Sequence, residues 1–142
     1  MTNEAFEQLV REEAPGAVPE KFRDKVRNVA FLVEDEPSPA VRQREGLRDD
    51  ETLLGLYQGV PATARGDVYG LGGVLPDTIT LFRLPIEEEA LDQEHTYILK
   101  DVSRSFEECV RKVVRETVWH EVAHYFGMDE HEVRRREEER DS

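Results

Sequence analysis

A chain of 142 residues has length for one core and little for two, so a single domain spanning 1–142 is expected, with 129–142 as a charged tail. Lys and Arg number 19 against 32 Asp and Glu, and the net charge of −13 argues against nucleic acid or an anionic membrane surface as a partner. Hydrophobic residues at 38% exclude wholesale disorder, no run nears the roughly 20 apolar residues of a membrane span, and a start without a secretion signal and one cysteine point to the cytoplasm.

Ala5, Phe6, Leu9 and Val10 recur at helical spacing, predicting a helix over 3–13 with Asn3 as N-cap and Pro15-Gly16 as its stop. A helical turn or two is expected from Pro19, carrying Phe22 and Val26 inward. Asn28 to Glu34 is a compact apolar run that reads as a buried strand, followed by a polar connection. Leu53 to Val60 and Thr78 to Leu84 read as two further strands, the second rich in residues suited to a pleated surface.

Between these strands lies a glycine-rich loop, Arg65 to Asp77. Its GLGG lacks the following Gly-Lys-Ser/Thr and helix start that make a phosphate cradle, so a turn or rim is expected. Residues 86–101 read as a short helix with an irregular exit. Ser105 and Glu108 then fit a capping box opening a long helix, Phe106 to Phe126, ended by Gly127. Phe106, Val110, Val113 and Thr117 mark one buried face, and Val114, Val118, Val122 and Tyr125 a neighbouring one. Cys109 lies in this pattern as a packed thiol, without the motif a nucleophile needs.

Chemistry concentrates in His120-Glu121-Val122-Ala123-His124. A spacing of four puts both imidazoles on one helix face, where they can share a metal ion, and helical phase turns them toward the interior that Phe106, Val110 and Val113 face. Glu121 points to their side, where a carboxylate serves as a general base rather than a ligand. Zn2+ is the expected cofactor. Catalytic zinc takes three protein ligands and keeps a position for water, so a third must come from the chain after Gly127: Glu130 first, then His131, then Asp129.

HEVAHYFGMDEHEV, preceded by LLGLYQGVP and GGVLPDTITLFRLPIE, resembles a family of small bacterial proteins predicted to be zinc metallopeptidases with a minimal zincin-like fold. The resemblance covers roughly residues 29–133. It implies an α+β fold, a small mixed β-sheet packed against the long HExxH helix and one or two N-terminal helices. It also implies His120 and His124 as ligands, Glu121 as base, and an acidic residue at the position of Glu130; the peptide or protein substrate is expected from the chemistry of a metal-activated water. In the larger metzincin pattern the tenth position is usually His, where this chain has Glu130, and no methionine follows Met128 to form the supporting turn.

The leading expectation is a zinc-dependent peptidase taking an extended peptide along a sheet edge near Thr78 to Leu84. One alternative is a non-catalytic metal-binding or protein-interaction module meeting a basic partner through its acidic surface. Another is a metal-dependent nuclease or amidohydrolase resembling small three-histidine ribonucleases, with His131 as third ligand. The sequence leaves oligomeric state open. His95, between Glu94 and Thr96, reads as a surface residue.

Overall fold

The computed structural model describes residues 1–20, 22–23, 28–59 and 75–127. Helix α1, Asn3–Glu13, is capped one residue earlier than expected: the Thr2 side chain accepts from Ala5 N–H at 3.0 Å. A 3-10 turn, Pro15–Ala17, follows. Phe22, whose N–H bonds the Pro19 carbonyl at 2.9 Å, packs into the core as expected, whereas Val26 lies outside the described residues. Strand β1 is Val29–Glu34.

The polar connection after β1 holds an unforeseen short helix, α2, Pro39–Arg44, whose signal is legible in hindsight. Ser38 accepts from Val41 N–H at 3.2 Å, and proline occupies the first turn, where its missing N–H costs nothing. Strand β2 is Gly55–Gln58 and β3 is Asp77–Phe82. Val60 and most of the glycine-rich loop lie outside the described residues.

Residues 83–84 do not extend β3, as expected from the sequence, but open a helix of 17 residues, α3, Arg83–Leu99. The reading of 86–101 as a short helix is therefore corrected. Pro85 sits in the first turn, where it is tolerated, and Ile86 and Ala90 bury against the core. Helix α4, Phe106–Tyr125, begins where the sequence placed it, with Ser105 Oγ accepting from Glu108 N–H at 3.1 Å. Gly127 follows with φ +80, the left-handed conformation that ends helices.

The three strands form one mixed sheet in the order β1-β3-β2, with β1 parallel and β2 antiparallel to β3. The chain is thus α+β. This order places Asp77–Phe82 at the centre, paired on both sides, so the expectation of a free sheet edge near Thr78 to Leu84 is corrected. The edges belong to β1 and β2.

Residues paired across the ladders share a face, so Phe31, Val33, Ile79, Leu81, Gly55 and Tyr57 form the inner face. α4 packs on that face, burying Val110, Val113, Val114, Val118, Trp119 and Val122, while α1 adds Phe6, Leu9 and Val10. Cys109 is buried, as expected, and burial pushes its thiol above the usual range. Arg111 bonds Glu12 at 3.1 Å and Glu13 at 3.0 Å, fixing α1 beside α4 through a partly exposed network. Among the described residues no helix is long and apolar enough to cross a membrane.

Candidate functional site

The second half of α4 lies against edge strand β2, and a glycine makes that approach close. A Cβ at Gly55 would come within 2.7 Å of Thr117 Cγ2 and 3.1 Å of the Thr80 carbonyl oxygen. Neither neighbour yields easily, since Thr117 is a buried β-branched residue and the carbonyl belongs to the central strand. Gly55→Ala is accordingly expected to cost about 1–3 kcal/mol from overpacking. Urea unfolding measures it, and a variant as stable as the parent would contradict the close approach.

One turn after Thr117, Glu121 reaches the strand. Tyr57 N–H donates to Glu121 Oε1 at 3.0 Å, so that N–H is not paired with β3. Tyr57 is held in turn by two contacts: its ring stacks on Tyr125 at 3.9 Å with a 19° interplanar angle, and its hydroxyl donates to Asp77 Oδ2 at 2.9 Å. Gly59 gives Tyr125 its room, for a Cβ there would stand 2.6 Å from the Tyr125 hydroxyl. Burial pushes the Glu121 carboxyl above the usual carboxylate range, opposed by the Tyr57 hydrogen bond and then by the nearby His124 and His120.

The rings of His120 and His124 lie one turn apart, with centroids 6.1 Å from each other and planes at 73°. His120 Nδ1 is 2.8 Å from the Glu116 carbonyl oxygen. A carbonyl only accepts, so Nδ1 is the donor, and in the neutral ring this leaves the lone pair on Nε2, the tautomer suited to a metal ligand. His120 is half-buried, but His124 is exposed, which corrects the expectation that both imidazoles face the interior. Helical phase gives the direction of a side chain, and at the last turn of α4 that direction is no longer covered. Tyr125, expected on a buried face, is likewise half exposed.

Among the described residues no group of three or more His, Cys, Asp or Glu side chains is placed to hold a metal ion. Glu130, the expected third ligand, and its competitors His131 and Asp129 lie outside the described residues, as does the tail 129–142. His95 is exposed on α3, as expected.

A cleft of about 330 Å³ opens beside His120 and Glu121, between α3, α4 and the segment 52–55. Sequence reasoning missed this cleft and the part played by Gly55, Tyr57 and Asp77. The one available signal was the pattern Gly55-x-Tyr57-x-Gly59, two side-chain-free positions flanking a tyrosine on the same strand face.

A sequence profile of zincin-like metallopeptidases matches residues 26–140. No curated protein matches the chain.

Proposed function

Because the chain belongs to the family of zincin-like metallopeptidases, we propose that it hydrolyses peptide bonds, with His120 and His124 as zinc ligands and Glu121 as general base. The observation that carries this reading is the Glu121 carboxylate, tethered at Oε1 to the Tyr57 N–H of an edge strand within the same helical turn as the two imidazoles. The donor set fits zinc: His120 has its proton fixed on Nδ1 by a carbonyl, which directs Nε2 to an ion. Glu130 is the proposed third ligand, with His131 and then Asp129 as alternatives. Zinc held there supplies Lewis acidity, acidifying a water and polarising a carbonyl.

The chain's own residues do the rest. Glu121 takes a proton at Oε2 from the attacking water and returns it to the departing amine, and its raised proton affinity brings it closer to the match such a shuttle needs. The Tyr57 N–H orients that carboxylate, while Asp77 and Tyr125 hold Tyr57 in place. An extended peptide is recognised by main-chain pairing with the groups of the β2 edge that Glu121 leaves open, which replaces the edge expected from the sequence.

The test is hydrolysis of a broad peptide library by purified full-length protein. Cleavage that stops on chelation and returns with stoichiometric zinc is expected. A zinc-loaded protein that cuts no peptide overturns the reading.

A further inference from the structure

We propose that the cleft beside His120 and Glu121 is a specificity pocket for a lysine or arginine side chain of the substrate, with Glu89 as its polar anchor. This inference rests on the peptidase reading and names the substrate class that reading leaves open.

Size comes first. At about 330 Å³ the cleft stands at the small end of ligand pockets, room for one side chain rather than a cofactor. It is continuous with the catalytic candidates, because His120 and Glu121 line it together with Leu53, Leu54 and Val113. Those three apolar residues suit the aliphatic stem of a long side chain, and a stem covering apolar surface beneath a charged head is how lysine and arginine bury.

Hydrogen-bond accounting then selects the head group. The lining carries two carboxylates on facing helices, Glu89 on α3 and Glu116 on α4. Glu116 is ion-paired with Lys112, one turn back on its own helix. Glu89 accepts from the Gln93 amide at 3.2 Å, and among the described residues no cation pairs with it.

Glu89 thus offers the cleft an acceptor whose negative charge a ligand can meet. Lysine brings three donors and arginine five, with no acceptor, whereas Asp and Glu bring acceptors and the wrong charge.

The test measures binding apart from turnover. Fluorescent peptides identical except for Lys, Arg, Leu or Glu at one position are titrated by anisotropy into zinc-loaded full-length Glu121→Gln protein, the position being stepped along the peptide. At one position Lys and Arg peptides are expected to bind about tenfold or more tighter than Leu, and Glu weakest. Glu89→Gln in the same background should bring the Lys-to-Leu ratio toward one, Glu89→Asp should keep most of it, and Glu89→Lys should turn the preference toward the Glu peptide.

Equal binding of Lys and Leu peptides at every position, absence of binding to any of them, or a preference unmoved by Glu89→Lys overturns the pocket. Parallel hydrolysis by the parent protein separates the two ideas. Cleavage without basic preference removes the pocket and leaves the peptidase, while basic-selective binding without cleavage does the reverse.

Discussion

Glu121→Gln is expected to lower kcat/KM for peptide hydrolysis by about 10²–10⁴-fold, the range for losing a positioned general base. Glutamine keeps the length of the side chain, and its carbonyl oxygen can still accept from Tyr57 N–H, so the geometry at β2 is preserved. What is lost is the ability to carry a proton. The substitution also exchanges a half-buried ionisable group, whose charged form burial disfavours, for a neutral one. The unfolding midpoint should therefore hold or rise while turnover collapses. Parent-like kcat/KM in a folded, zinc-loaded Glu121→Gln protein would remove Glu121 from the chemistry.

The largest stability effect should come from the residue just before the proposed ligand. Trp119 is fully buried, and Phe22 packs against it with ring centroids 5.5 Å apart. Trp119→Ala removes the largest buried side chain and leaves a void between α4 and the chain after α1, for an expected loss of about 3–5 kcal/mol. Trp119→Phe should cost much less. It keeps an aromatic ring and discards the indole N–H, which is buried without a partner among the described residues. Urea unfolding followed by far-ultraviolet circular dichroism checks both. Near-equal losses for the two variants would mean that the void is not what the tryptophan prevents.

The parts legible in the sequence were those encoded locally. Ser105, the apolar periodicity through Val122 and the glycine at 127 were enough to place α4, because a cap, a buried face and a left-handed stop all act within a turn or two of their own residues. The apolar runs around Phe31 and Ile79 likewise announced strands. Strand order was not legible, since which of three apolar segments lies between the others depends on pairings far apart in the chain. That order moved the proposed peptide edge from Thr78–Leu84 to β2.

At the site the same division holds. The spacing of His120 and His124 follows from one helix, whereas the Glu121 bond to Tyr57 joins residues 64 apart and depends on the missing side chain at Gly55. The start and length of α3 were misread for another reason. It starts directly from β3 with no side-chain cap, so Arg83 and Leu84 read as the end of an apolar strand until Ile86 and Ala90 are seen to face the core.

The central claim is that two imidazoles one turn apart hold a divalent ion beside the Glu121 carboxylate. Diffraction from zinc-loaded crystals on either side of the zinc absorption edge tests it most directly. The account predicts one anomalous peak per chain, about 2.0–2.1 Å from His120 Nε2 and from a His124 ring nitrogen, with the Glu130 carboxylate completing the protein ligands. A peak elsewhere, or no peak between those rings in crystals whose bulk zinc is stoichiometric, would contradict it.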